Sequence, residues 1–348
     1  MSGRVAINGI GVAGTTLAWL LARRGFEVRL HGRRPAKGRL IAVSVETVSL
    51  AAELWQTPPE RVWAGSWVQR RETAWASAAF ERTDSAALVC DPADIVARFV
   101  DLLAERGVRV ADGAAPEDDA DWVITAEGRT RCELGFTAGQ RTVSAGWLPR
   151  VPHRHTDCTT VVAVGGGWFF ACPDPAGGTA LMLVRPPEAG GNDAEALRTA
   201  VEEAWPGHSA LAEPRGAPRE CAPQLGHLPA SPGKLRVGDA ALAIDPLRGD
   251  GFGYAARGAL LAHAVIAAGD CAPAALRHYS GRLREVFRAH VLNCITHYAD
   301  ARNAAIWSGE IARMKLALEL LGRPAAAECE LRGFDLRVSH AETLEEAV

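Results

Sequence analysis

Apolar positions at the start of the chain fall into short runs that alternate with a longer periodic stretch. Val5-Ala6-Ile7 reads as a buried strand, Thr15 to Arg24 as a helix and Glu27 to His31 as a second strand, which makes residues 1–35 a β-α-β unit. Val43, Val45, Val48, Leu50, Ala51 and Leu54 recur at helical spacing over 43–56. The stretch 61–90 sets Trp63, Trp67, Trp75 and Phe80 among arginines and reads as short strands or loops. Asp91-Pro92 opens an amphipathic helix, 95–106, which Gly107 closes before a strand at 108–110. Residues 122–125 form another apolar strand. From 141 to 230 the pattern changes to alternating runs (159–164, 168–172, 180–184) separated by Gly/Pro/Asp turns, as in antiparallel strands, with a helix at 194–205. A short strand at 235–237 precedes helical stretches at 254–268 and 275–322.

Glycines sit where these elements join. Gly9-Ile-Gly11-Val-Ala-Gly14 lies between the first strand and the first helix, as the dinucleotide fingerprint requires. Gly9 permits the tight turn, Gly11 keeps side-chain bulk away from a pyrophosphate, and Gly14 lets the helix pack closely on the strand. The free N–H groups of Val12, Ala13 and Gly14 then face the phosphates. A second glycine turn, Gly238-Asp239 followed by Pro246, Gly249, Gly251 and Phe252, comes about 225 residues later, between another strand and another helix. Asp239 at a strand end can accept hydrogen bonds from a polyol, and the glycines let the backbone approach a flat ring. The dipole of the next helix favours negative charge there. The pair implies one extended cofactor held at both ends, namely FAD. A plain Gly-rich loop before a core helix is the alternative for the second turn.

One part of the fingerprint is missing. Gly32 stands where an acidic residue would bind the ribose hydroxyls. Arg33 and Arg34 follow it, either facing a phosphate or solvated, and weaker adenosine binding is expected.

Charge and cysteines narrow the field by exclusion. At 348 residues the chain can bury a large core in two lobes, and its net charge of −3 calls for neither nucleic acid nor an anionic membrane. No apolar run reaches 18 residues, and a strand begins within a few residues of Met1, so a cytoplasmic protein is expected. None of the eight cysteines is spaced CxxC, and no metal is expected. His153-Arg154-His155 with Cys158 is the only candidate cluster, in a loop-like stretch. No nucleophile elbow or telling carboxylate pair is present. His227 lies twelve residues before Asp239 and reads as structural.

Gly238-Asp239-Ala-Ala with Pro246-x-x-Gly249-x-Gly251 resembles the second FAD motif of the p-hydroxybenzoate-hydroxylase-type flavoprotein monooxygenases. The resemblance implies Asp239 on the ribitol and the Pro246–Gly251 segment against the isoalloxazine. Thr125-Ala126-Glu127-Gly128-Arg129 is similar to the middle motif of flavin-dependent tryptophan halogenases, which adds Gly128 to the cofactor contacts. Gly167-Trp168-Phe-Phe170-Ala-Cys172-Pro173 resembles a decayed form of their Trp-x-Trp-x-Ile-Pro element. They also need a lysine; this chain has only Lys37, Lys234 and Lys315, none near residues 79–81, so halogenation is not expected. Residues 290–311 are similar to the ends of halogenases and of flavoproteins that mature tryptophylquinone cofactors.

The expected fold is α/β: a Rossmann-like FAD-binding domain of the glutathione-reductase type (1–60, 88–135 and 233–275), an inserted antiparallel β-sheet substrate domain (61–87 and 136–232) and C-terminal helices (276–348). The expected activity is hydroxylation of an aromatic substrate, free or tryptophan-bearing and peptide-borne, with NAD(P)H as reductant and oxygen transfer from a flavin C4a-hydroperoxide. Trp168 and Phe170 are expected to wall the substrate pocket. The tryptophans and arginines of 63–75 either line it or belong to core and surface. An accessory flavoprotein that binds a partner, or an NAD(P) dehydrogenase resting on the first turn alone, are the competing readings.

Overall fold

The computed structural model describes residues 3–114, 119–129, 132, 134–149, 157–175, 177–269, 272–322 and 329–338. The 153–155 cluster lies outside them.

Two sheets organise the molecule. The first runs in the order Ala230–Ser231, Lys234–Arg236, Trp122–Thr125, Arg4–Asn8, Glu27–His31, Arg109–Ala111, and all its pairings are parallel except that of the first two strands. Parallel neighbours need crossover connections, and helix Val12–Arg23 supplies the first. Val5, Ile7, Val28, Leu30 and Ile124 are buried in it. Helix Pro92–Glu105 starts where the sequence places it: Asp91 accepts the N–H of Ala93 at 2.9 Å and Pro92 fills the first turn.

The second sheet has eight strands in the order Glu213–Glu220, Thr142–Leu148, Thr179–Arg185, Gly167–Pro173, Cys158–Val164, Ser66–Ala74, Glu81–Cys90, Ile41–Ser44. Every pairing is antiparallel except that of Cys158–Val164 with Ser66–Ala74. Strand alternation divides its residues between two faces. Phe169, Leu181, Leu183, Val162 and Val164 pack under helix Asp193–Ala204, with Leu197, Val201 and Trp205. Trp168, Val184, Ala163, Leu88 and Val43 join the main core shared with the first sheet.

Four local differences from the sequence reading have physical causes. Residues 43–56 are a strand and then a helix, because Ile41–Ser44 pairs with Ala87–Cys90 at the sheet edge and Ser44 caps helix Val45–Trp55 by accepting the Thr47 N–H. The stretch 61–90 holds two long paired strands, 66–74 and 81–90. The helix over 275–322 breaks into Ala272–Asp300 and Ser308–Leu321. At the break, Arg302 donates to Ala163 O at 2.6 Å, and Asn303 donates to Val164 O and Gly167 O at 2.5 and 2.7 Å. The side chains thus anchor the connection to the large sheet. Beyond the helices, Cys329–Arg332 and Asp335–Val338 form a hairpin where helix was expected.

Candidate active site

The glycines of the two turns fall into two physical groups. A Cβ on Gly9, whose φ is +125°, would lie 2.2 Å from Ala126 O, and one on Gly14 would lie 2.0 Å from Gly9 O. Both glycines are demanded by the packing of strand, turn and helix. Gly11 is different: a Cβ there would meet nothing within 4 Å, although its φ of −111° suits any residue. Packing gives no reason for glycine at that point, whereas a ligand lying against the backbone does. Helix 12–23 has no side-chain cap, so its first N–H groups remain available to an anion.

The second turn repeats the division. Gly238, at φ +59°, packs so closely that its Cβ would lie 2.7 Å from the Cβ of Ala13. This contact joins the two turns, and helix Gly251–Ala267 packs along helix 12–23 beside it. A Cβ on Gly251 would meet only open space; Gly249 and Gly128 also face open space, but their φ of +63° and +77° already calls for glycine. Helix 251–267 also lacks a side-chain cap. Asp250, the residue placed to cap it, instead accepts from Thr47 Oγ1 at 2.7 Å and from Arg257 at 2.8 Å. Pro246 starts the short turn Pro246–Arg248. Phe252 turns inward: its ring lies 5.2 Å from Trp63 and 6.0 Å from Trp55, so only its backbone is available to a ligand.

Asp239 is open to solvent yet closely surrounded by protein, the environment of a cleft floor. Desolvation raises its carboxyl above the usual value, opposed by the charges of Arg129 and Arg39. Arg39 belongs to no motif and escaped the sequence reading. Arg129 braces the site from behind, donating to Ala222 O and, at 3.3 Å, to Ile244 O.

The missing acid has a backbone explanation. Gly32 has φ +140°, and a Cβ there would lie 3.2 Å from Gly9 Cα and 3.3 Å from Ile10 N. An aspartate would be strained and pressed against the first turn. Arg33 and Arg34 are exposed beside it.

Behind the second turn lies a fully buried polar network that sequence spacing could not reveal. Arg141 Nε donates to Asp245 Oδ2 at 2.7 Å, and its Nη1 donates to Glu310. Tyr298 donates to the same Asp245 oxygen at 2.9 Å, while Oδ1 accepts the Leu247 N–H at 2.8 Å. The Asp245 N–H donates to His290 Nε2 at 2.9 Å. Burial opposes the charge of Arg141, but Asp245, Tyr298 and Glu310 outweigh it and hold the guanidinium above its ordinary value. Burial lowers His290 to about 4. It is therefore neutral, with Nε2 as the acceptor. Asp245 directly precedes Pro246, so the network anchors the start of the 246–251 segment to the C-terminal helices.

The expected pocket residues separate. Trp168 is enclosed by protein, its Nε1 donating to Tyr298 Oη at 3.2 Å and its ring 6.4 Å from Trp75. It cannot wall an open pocket, because its alternate position on the strand points into the core. Phe170 shares that face and is half-buried, paired with Val161 on one side and Met182 on the other. Trp63 is core and Trp67 is exposed. His227 is exposed in a turn. Among the described residues no group of His, Cys, Asp or Glu could hold a metal, and no helix is long and apolar enough to cross a membrane.

No family model and no curated protein matches the chain. Its architecture, a parallel-sheet dinucleotide fold carrying a large mixed sheet and a helical C-terminal region, is nevertheless that of FAD-binding flavoenzymes. Three solved structures make the likeness concrete. One is the peptidyl tryptophan dihydroxylase QhpG, essential for tryptophylquinone cofactor biogenesis, with a TM-score of 0.76 and 19% identity over 97% of this chain and 86% of that one. Xcc4156, a flavin-dependent halogenase from Xanthomonas campestris, gives 0.70 and 13% over 89% and 80%. 2-Methyl-3-hydroxypyridine-5-carboxylic acid oxygenase gives 0.65 and 17% over 90% and 96%.

Proposed function

We propose that this chain is an FAD-dependent monooxygenase that hydroxylates an aromatic group. One observation carries the reading. Two glycine turns distant in sequence touch at Gly238 and Ala13, and each keeps a glycine (Gly11 in the first, Gly251 in the second) for which neither protein packing nor backbone conformation gives a need. An elongated ligand with phosphates at one end and a flat ring at the other explains both.

The residues divide the work. Uncapped N–H groups of Val12, Ala13 and Gly14 bind the pyrophosphate. Asp239 accepts hydrogen bonds from the ribitol. The backbone from Pro246 to Gly251 lies along the ring, and the uncapped start of helix 251–267 stabilises negative charge there. Asp245 fixes that backbone through the Leu247 N–H. When bound, the flavin supplies the redox chemistry, accepting reducing equivalents from NAD(P)H and transferring oxygen from O₂ to an electron-rich ring. Phe170, Met182 and Val161 offer an apolar face to that substrate. The likeness to a peptidyl tryptophan dihydroxylase along nearly the whole chain favours an aromatic group carried on a polypeptide, and the lack of a lysine near 79–81 argues against halogenation.

The test is purification with added FAD, followed by absorbance and thermal melting. FAD at a hundredfold excess over its dissociation constant should stabilise the protein by about 2.7 kcal/mol. No retained flavin and no melting shift at saturating FAD would refute the reading. NADPH consumption that rises on adding a tryptophan-bearing peptide, and not on adding free tryptophan, would support the peptide-borne substrate.

A further inference from the structure

Oxidisable side chains form a continuous line from the start of the 246–251 segment to the surface. Tyr298, fully buried, hydrogen-bonds Asp245 at 2.9 Å. Trp168 Nε1 meets the Tyr298 oxygen at 3.2 Å. The Trp168 ring lies 6.4 Å from that of Trp75, which is half-buried and donates its Nε1 to His297 O at 2.9 Å. Trp307 stacks on Tyr298 with ring centroids 4.1 Å apart. Indole and phenol are the most readily oxidised side chains apart from thiols, and rings at these separations exchange electrons readily.

The geometry points to a redox relay, Tyr298–Trp168–Trp75, that carries one-electron oxidising equivalents from the ring-binding segment to the protein surface. It rests on the proposed flavin site. The oxidant would be the light-excited flavin held at that segment, which gains the electron. It takes one electron from Tyr298, whose phenolic proton moves to Asp245 Oδ2, leaving a neutral tyrosyl radical. Trp168 then returns an electron to Tyr298 while Asp245 returns the proton. Trp75 reduces Trp168, and a reductant in solution, such as a thiol, reduces Trp75. Each hop moves one electron inward and restores the residue before it.

The charges around Tyr298 explain why electron and proton must move together. The Arg141 guanidinium lies 5.2 Å from the Tyr298 ring and opposes a positive charge on it. The carboxylate at 2.9 Å removes the proton, so no net charge has to build up on the phenol. A second aromatic line, Phe252–Trp63–Trp55, lacks these features: its rings have no carboxylate partner, and it reaches Trp19 only through Phe99, with the Arg106 guanidinium 4.3 Å over the Trp19 ring. A hole would be disfavoured at that exit.

The relay is tested by photoreduction. The FAD-loaded protein is illuminated with blue light, without oxygen, in the presence of dithiothreitol, and flavin bleaching is followed. Radicals are trapped by freezing and read by electron paramagnetic resonance. The wild type should bleach several-fold faster than Trp75→Phe, Trp168→Phe or Tyr298→Phe at equal FAD occupancy. Trp205→Phe, under the opposite sheet face, should match the wild type. Trp75→Phe tests the relay if the two buried variants fail to fold. Equal bleaching in Trp75→Phe and wild type overturns the relay and leaves the flavin site standing. Failure of the wild type to retain FAD overturns both.

Discussion

Replacing Arg141 by methionine removes the one cation shared by two buried carboxylates. The guanidinium is inaccessible to water, as are Asp245 and Glu310. Breaking such a pair from one side costs about 3–5 kcal/mol, mostly because the stranded carboxylate has lost its counter-charge. Glu310 keeps Arg313, whose Nε lies 2.8 Å away, and the Gln140 N–H at 2.9 Å. Asp245 keeps only neutral donors, so the loss concentrates there. Against a total stability of about 5–15 kcal/mol, this is a large fraction. At about 2 °C per kcal/mol for a chain of this size, melting should fall by about 6–10 °C. The assay is a pair of melts, Arg141→Met and Arg141→Met/Asp245→Asn, with and without FAD. Neutralising Asp245 as well removes the stranded charge, so the double variant should recover much of the loss, a coupling of roughly 1–3 kcal/mol. Full additivity of the two substitutions, or a single-variant loss below about 1 kcal/mol, would refute the claim that this ion pair anchors the 246–251 segment.

Three further outcomes are expected. Gly11→Ala should leave melting of the FAD-free protein unchanged and weaken FAD binding, whereas Gly14→Ala, whose methyl would collide with Gly9 O at 2.0 Å, should destabilise the protein itself; melting and flavin titration separate the two. Asp239→Ala should weaken FAD about tenfold to a hundredfold, the worth of hydrogen bonds to a charged group, with little change in FAD-free melting. Burial lowers His263 and His290 to about 4. Their folded values lie below the unfolded one, so their contribution is complete above about pH 6.5 and is lost as pH falls toward 4. Melting should therefore drop steeply across that window, and His290→Gln, which retains an acceptor for the Asp245 N–H, should flatten the drop.

Local chemistry made the β-α-β unit and both glycine turns readable, because glycine spacing and apolar runs report on neighbours in sequence. The helix at 92–105 was readable for the same reason, from Asp91-Pro92. Strand 213–220 was not. Every one of its residues is exposed, it carries Pro214 and Pro218, and only pairing with 142–148 makes it a strand. The division of 43–56 likewise depends on a distant partner, residues 87–90. The Arg141–Asp245 pair joins two unremarkable residues from separate parts of the chain, and no periodicity marks it. Trp168 shows the limit most clearly. Its strand and its face could be inferred, but its enclosure depends on Tyr298 and Trp75, which approach from elsewhere.

The touch of Gly238 on Ala13 also fixes an order of events during synthesis. Some 225 residues must be made after the first turn before its counterpart exists. At about 5–20 residues per second that is a delay of roughly 10–45 s. The opening β-α-β unit leaves the ribosome early, with helix 12–23 still lacking the helix that covers it. Such long-range closure is slow and leaves apolar surface unprotected while it waits. The newborn chain therefore has a defined interval in which a chaperone would act, and on the proposed reading FAD would be taken up only after translation has passed residue 251.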